Sequence, residues 1–409
     1  MPLIDYGFLG KIIPKRQPLD EFKRAKRWYL NRIRLSMSFF YFGMGFCFAS
    51  WASRIPSIKT ILALSDGDLG SILFALPMGQ LTAMPFSGKI VTRFGSRNIL
   101  LVALPCYALS LTNLGLATQP WHLALGLYFF GLCGNFCNIS INTQGVYTEQ
   151  LFGKPIMGSF HGSWSLAGFF GALVGLVMMG FNLTPYQHFL VVFFVIGLIV
   201  FFNYKNLVRM KPVKQEIVTT KKFFRKPDKT LIWLGVISFC CMASEGIMFD
   251  WSGVYFKDVV EAPGALVILG YTSFMVMMSS GRFLSDFLVR KIGSKKVLII
   301  SGFMISVGLY TAVIFPFLIP STIAFMLVGL GVSNVIPIIY STTGRVSTVP
   351  IGEALTTIGS ISFLGFLVGP PLIGYIAELT SLRYSFAFIG IFGFFISFLV
   401  YKLKFFNAS

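Results

Sequence analysis

The stretch Arg93-Phe94-Gly95-Ser96-Arg97 stands between two apolar runs, and the chain writes it again as Lys291-Ile292-Gly293-Ser294-Lys295. The copies lie 198 positions apart, from Gly95 to Gly293, in a chain of 409 residues. Each sets cations around a Gly-Ser pair, and each precedes a long apolar segment. Gly131 meets Gly329 at the same offset, and Ala49-Ser50-Trp51-Ala52 meets Phe249-Asp250-Trp251-Ser252 two positions later. Agreement at three separate places makes an internal repeat half a chain long. Such a repeat marks a secondary transporter, whose two matching halves rock about a shared central site.

Composition agrees with a membrane setting. Apolar residues make up 55% and charged residues 12%, with a mean hydropathy of +0.76. That is more apolar surface than a soluble core can use. It excludes a soluble enzyme, a disordered chain and a disulfide-rich secreted domain. The apolar runs are continuous rather than alternating, which argues against a transmembrane barrel. A spanning helix needs about 20 such residues. The runs read as spans at 35–54, 67–87, 98–117, 122–148, 158–180 and 187–204, then 231–256, 264–287, 296–316, 321–344, 353–377 and 383–403. The expected fold is an all-α polytopic membrane protein with twelve transmembrane helices in two pseudo-symmetric six-helix bundles. A basic cytoplasmic segment covers 1–34, the first bundle 35–204, a cytoplasmic linker 205–230, and the second bundle with a short cytoplasmic tail 231–409.

The net charge of +19 follows topology. Every Lys and Arg except Arg54, Lys59, Lys257 and Arg383 falls on the side of the N-terminus. This is the positive-inside pattern, and it puts both termini in the cytoplasm. It calls for anionic lipid headgroups as partners, and not nucleic acid. Phe8, Ile12, Ile13, Phe22 and Trp28 among the cations of 1–34 suggest a segment lying on the inner membrane face. The six cysteines sit in apolar spans without histidines at metal spacing and are expected to pack. No G-x-x-x-x-G-K-[ST] phosphate loop occurs, so transport draws on a gradient and needs no cofactor. His122, His161 and His188 lie at unrelated depths, which leaves a membrane-embedded hydrolase without a nucleophile–base pair. The linker is too short for the signalling domain of a sensor.

An ionisable group inside a bilayer is costly, so each one is a candidate for function. Glu245 falls near the middle of span 7, with Asp250 further toward the outside. Both are candidates for proton coupling, and Glu245 for solute binding as well. The alternative for Glu245 is a structural hydrogen bond to a neighbouring helix. Asn135, Asn138 and Asn142 fall at i, i+3 and i+7 on one face of span 4. Their amides must meet protein or water rather than lipid, and they suit hydroxyl-rich ligands. They can equally join helices to one another. Gln80, Ser333 and Asn334 are candidates of the same kind, and Trp51 and Trp164 are aromatic candidates for the solute. Interfacial tryptophan also occurs without a ligand. His161 opens span 5 near the inside and reads better as structural than as titrating. Arg54 ends span 1 and is expected to meet Asp250 near the outer mouth as a gate. Arg93, Glu149, Arg282, Asp286 and Arg345 gather at inner span ends as a second gate, with Arg282 and Asp286 at i, i+4.

Gly88-Lys89-Ile90-Val91-Thr92-Arg93-Phe94-Gly95-Ser96-Arg97 resembles the loop 2–3 signature of the major facilitator superfamily. The resemblance covers the chain from residue 35 onward. The signature usually has Asp where this chain has Thr92, while the second copy keeps an acid at Asp286. Trp51-Ala52-Ser53-Arg54-Ile55-Pro56, Phe160-His161-Gly162-Ser163-Trp164-Ser165, and Glu245-Gly246 with Asp250-Trp251-Ser252 are similar to a bacterial branch. That branch includes a rhizopine-transport membrane protein, and rhizopines are inositol-like amines. Its members tend to carry Asp in span 4 where this chain has Asn138. The resemblance implies a central site lined by spans 1, 4, 7 and 10 in a bacterial inner membrane. It also implies latch pairs, Arg93 with Glu149 and Asp286 with Arg345. The expected function is a secondary active transporter of a small hydrophilic solute, polyol- or sugar-like, by proton symport with Glu245 as carrier. A proton-driven exporter of a small organic or cationic compound, or a uniporter, is the alternative. The expected partners are the small-molecule solute and protons, and the expected state is a monomer.

Overall fold

The structure is a computed structural model that describes residues 19–64, 66–209, 228–263, 266, 269–403 and 406. The expected inner-face residues Phe8, Ile12 and Ile13 and most of the linker lie outside the described residues. Among the described residues thirteen α-helices follow one another: α1 Leu19–Ile61, α2 Asp66–Leu73, α3 Ala75–Phe94, α4 Ser96–Leu114, α5 Pro120–Phe152, α6 Met157–Gly180 and α7 Pro185–Asn203. The second half continues with α8 Lys229–Asp258, α9 Leu269–Ile292, α10 Ser294–Ile314, α11 Leu318–Val346, α12 Ile351–Leu379 and α13 Leu382–Lys402. The second span is broken at Phe74 into α2 and α3, so the thirteen described helices account for twelve spans.

Ten helical segments among the described residues are long and apolar enough to cross a membrane on composition alone. The two spans that fall short do so for visible reasons. The α2–α3 span is interrupted by a turn, and α9 carries Arg282, Asp286, Arg290 and Lys291. At 30 residues, α8 extends about 45 Å, ample for a hydrocarbon core of about 30 Å. Helix α1 starts earlier than the expected span, at Leu19, and continues beyond it through Pro56 to Ile61. Phe194, Leu198, Phe201 and Phe202 stand exposed along α7, a burden that lipid accepts and water does not.

The repeat shows in the packing. In the first half α5 packs on α3 and α4, and in the second α11 packs on α9 and α10. Lipid tails give helices no hydrophobic reason to associate, so close backbone approach carries the packing. A Cβ at Gly131 would strike the Leu76 carbonyl, and one at Gly329 would strike the Phe274 carbonyl. The repeated Gly-Ser turns also coincide: Gly95 and Gly293 both have φ +83° between consecutive helices, a left-handed value that favours glycine.

The chain divides into two compact units. Unit 1 comprises Met1–Gly153, Ser163–Phe224 and Pro350–Thr356; unit 2 comprises Lys154–Gly162, Arg225–Val349 and Thr357–Ser409. The beginning of α6 thus belongs to unit 2, and the beginning of α12 to unit 1. Within unit 1, Tyr107 and Phe130 stack at 4.1 Å between ring centroids. Within unit 2, Tyr255 packs on Phe386 at 4.4 Å and donates its hydroxyl to the Ala312 carbonyl at 2.9 Å.

Candidate functional site

Unit 2 holds a buried ion pair. Glu245 lies near the middle of α8 and Arg282 near the middle of α9, 6% and 7% exposed. Arg282 Nη2 donates to Glu245 Oε1 at 3.1 Å. Sequence position assigned Arg282 to the inner end of its span; α9 runs on to Ile292, which leaves Arg282 well inside the helix. It pairs with the acid of the neighbouring helix. A charge held in a low-dielectric interior needs an opposite charge beside it, and each of these supplies the other's. Ser333 and Asn334 are buried on α11, and their side chains donate to the Leu330 carbonyl at 2.6 and 3.0 Å. Asn334 Oδ1 is buried without a hydrogen-bond partner among the described residues.

Asp286 follows Arg282 by one turn of α9. Its Oδ1 accepts from Gly158 N–H at 2.8 Å and its Oδ2 from Ser159 N–H at 2.9 Å. These are orphan donors of the first turn of α6, where a carboxylate is favoured by the helix dipole. The contact is close: a Cβ at Gly158 would lie 2.7 Å from Ser285 Cβ. Arg345 is exposed and donates to Ser294 Oγ at 3.2 Å. Of the expected latch partners, Asp286 is buried against the start of α6 while Arg345 stays at the surface beside Ser294. His161, on the next turn of α6, packs against Tyr340 of α11 at 5.9 Å between ring centroids. Asp250 lies exposed on α8.

Unit 1 presents neutral groups. Tyr41 of α1 donates its hydroxyl to Asn142 Oδ1 at 2.9 Å. Asn142 Nδ2 donates to Asn138 Oδ1 at 2.7 Å and to the Asn138 carbonyl at 2.9 Å. The stripe of three amides is thus divided: Asn142 joins helices, Asn138 extends its network half-buried, and Asn135 Oδ1 is buried without a partner among the described residues. Trp51 is buried, Gln80 and Trp164 are half-buried, and Trp164 stacks over Phe48 at 6.3 Å. Arg93 is exposed over the Phe94 ring and Glu149 is half-buried.

Arg54 is deeply placed, at 2% exposed. Its Nε donates to Nδ1 of the fully buried His188 at 3.1 Å, and its Nη2 to the Leu183 carbonyl at 3.0 Å. Sequence reasoning passed over three partners: Tyr41, His188 and, for Glu245, Arg282. The signal for the last was present, since an acid in mid-span requires a cation from some other span.

The family profile described as Major Facilitator Superfamily matches residues 35–350 and 266–407. The chain is 30% identical over 368 residues to the transporter y4wD of Sinorhizobium fredii, covering 88% of this chain and 95% of the relative. It is 28% identical over 355 residues to Membrane protein MosC of Rhizobium meliloti, covering 87% and 86%. Among solved structures, the E. coli fucose:proton symporter FucP superposes with a TM-score of 0.69 at 14% identity, over 90% of this chain and 97% of that one.

Proposed function

The chain belongs to the major facilitator superfamily and is a membrane transporter, and on that premise we propose that it carries a small hydrophilic solute, polyol- or sugar-like, together with a proton. The observation that carries this reading is the buried Glu245–Arg282 pair. Arg282 keeps its charge under all physiological conditions. Glu245 can lose its charge by taking a proton, and the attraction between them then falls away. A proton arriving at Glu245 thereby changes the partner requirements of a buried guanidinium, which is what a coupled carrier needs. On the solute side, Asn135 Oδ1 and Asn334 Oδ1 are acceptors awaiting donors, and solute hydroxyls would meet that need. The fucose:proton symporter, similar in fold, supports a sugar-like cargo and a proton.

The protein works as a monomer by alternating access in a bacterial inner membrane. Both termini are cytoplasmic, and the basic inner surface rests on anionic headgroups. The exposed Asp250 receives protons or solute from the outer side. Arg54 with His188, Asp286 with the first turn of α6, and the surface charges Arg93, Glu149 and Arg345 act in gating.

The test uses the purified protein in sealed vesicles with an imposed pH gradient. Wild-type protein accumulates a labelled polyol or sugar against its concentration gradient. Glu245→Gln abolishes that accumulation and retains exchange of solute across the membrane. Accumulation at wild-type level by the variant would remove Glu245 from the coupling step.

A further inference from the structure

We propose that unit 1 binds a small monovalent anion at Arg54, where α1, the turn between α6 and α7, and the first turn of α7 meet. The site is separate from the solute and proton groups described above and stands without them.

Arg54 is 2% exposed and keeps its charge at any physiological pH. Its partners are neutral: Nε donates to His188 Nδ1 at 3.1 Å, and Nη2 donates to the Leu183 carbonyl at 3.0 Å. Nη1 has no acceptor among the described residues. Because Nε can only donate, Nδ1 must accept, which places the imidazole proton on Nε2 and keeps the ring neutral. Nε2 is thus a second donor, buried and without a partner among the described residues. Asp68, Glu149 and Glu353, the acids of unit 1 whose side chains are described, are not among the partners of Arg54. Donors and positive charge are therefore in excess, and an acceptor with negative charge is what they lack. A buried ion without an opposite charge is costly. One negative charge brings the place to zero, and a second would overshoot it. The planar guanidinium edge ending in Nη1 suits such an acceptor.

The repeat shows that the fold does not demand a cation at this junction. At the offset of 200 that relates Trp51 to Trp251, Arg54 corresponds to Val254. Thr184 and Ser381 both cap their helices, and Phe189 and Phe386 are both fully buried, each pair 197 positions apart. His188 then corresponds to Ser385, a buried residue whose hydroxyl donates to the Ile373 carbonyl at 3.1 Å. Unit 2 closes the matching helix ends with neutral groups, so the charge in unit 1 calls for a reason of its own.

The place is also distinct from the line of neutral hydrogen bonds in unit 1, since Arg54 lies about 140° round α1 from Tyr41. Helix α6 borders it closely: a Cβ at Gly175 would strike Ser53 Oγ and lie 3.7 Å from His188 Cε1. Walls this near suit a halide or formate rather than a lipid phosphodiester.

The experiment melts the full purified chain in detergent at pH 7.5 while chloride or formate replaces a bulky sulfonate buffer at constant ionic strength. A ligand of the folded state raises the melting temperature by mass action. Wild type should show a saturable rise of about 2 °C or more with either anion. Arg54→Leu, apolar like Val254, should show none. Arg54→Lys keeps the charge, loses the planar edge, and should show a smaller rise. Arg383→Gln removes an exposed cation of unit 2 and should keep the wild-type rise. Wild-type crystals grown in bromide need no variant to fold, and they should show an anomalous peak within about 4 Å of Arg54 Nη1. No saturable rise in wild type, an equal rise in Arg54→Leu, or bromide sites that avoid Arg54 overturns the proposal. So does a rise that needs phosphatidylglycerol in the micelle and not chloride or formate, which would make Arg54 a headgroup contact. None of these readouts involves transport, so their failure leaves the proton-coupled reading as it stands.

Discussion

In unit 1 the polar interior is a line of neutral hydrogen bonds, Tyr41 to Asn142 to Asn138, joining α1 to α5. In unit 2 it is an ion pair, Glu245 with Arg282, joining α8 to α9. The buried acids among the described residues, Glu245 and Asp286, both fall in unit 2. The buried cation of unit 1, Arg54, is held by an imidazole and a carbonyl. A phenol and two carboxamides keep one protonation state across the physiological range, so their network holds a geometry. An acid beside an arginine can change its charge, so its geometry is conditional. Repeat-related halves have thus come to hold positioning groups on one side and responding groups on the other.

The strongest way to break this comparison is Glu245→Ala. It takes the Glu245 carboxylate from the buried Arg282 guanidinium, at a cost of about 3–5 kcal/mol, visible as a large loss of melting temperature in detergent. Adding Arg282→Ala should recover most of that loss. A single variant that melts like wild type would mean that the pair carries no such burden. Next in size is Tyr41→Phe, which takes the donor from Asn142 Oδ1 and should cost about 1–3 kcal/mol. The loss should be equal at pH 5.5 and 7.5. A loss that changes with pH would tie unit 1 to a titrating group and erase the contrast.

Asp286→Asn comes third. An amide can still accept one N–H at the start of α6, but the charge facing the helix dipole is gone, at about 0.3–1 kcal/mol. Thermal melting in low and high salt would reveal it, and a change as large as that of Glu245→Ala would rank the two acids together. The smallest effect belongs to Asp228, which caps α8 by accepting from Thr230 N–H at 3.0 Å. That bond holds its carboxyl below the usual carboxylate range. The stabilisation is therefore present above the unfolded-state carboxylate pKa and fades as pH falls through the lower folded-state value. Asp228→Asn should differ slightly from wild type near neutral pH and converge on it in acid. A gap that widens in acid would contradict this.

Much of the fold could be read from residues because the bilayer imposes a simple requirement: continuous apolar runs with their backbone satisfied internally. The repeat added a second reading of each span, and the two Gly-Ser turns take the same φ. The break at Phe74 follows from Pro77, which offers no N–H to the Leu73 carbonyl and crowds it, a signal that reading 67–87 as one apolar run overlooks. The site was legible as a set of costly residues but not as pairs. Glu245 stood out because it lies in mid-span, while Arg282 was hidden by its nearness to the basic inner loop. The stripe of Asn135, Asn138 and Asn142 looked uniform because helical spacing records the face. What each amide meets depends on a neighbour, here Tyr41, and nothing in the spacing names it.

The beginnings of α6 and α12 are assigned to opposite units, and the repeat offset of 198 relates them: Gly158 to Thr356, and Gly88 to Asp286. A Cβ at Gly88 would meet Thr356, while Asp286 meets the backbone of Gly158. Two identical copies exchanging such segments would have to carry the same side chains at both contacts. A single covalent chain removes that obligation. The small residue can then sit on the donating segment at one contact and on the receiving helix at the other. The tandem arrangement is in this sense a licence for asymmetry, with one junction set by bulk and the other by charge.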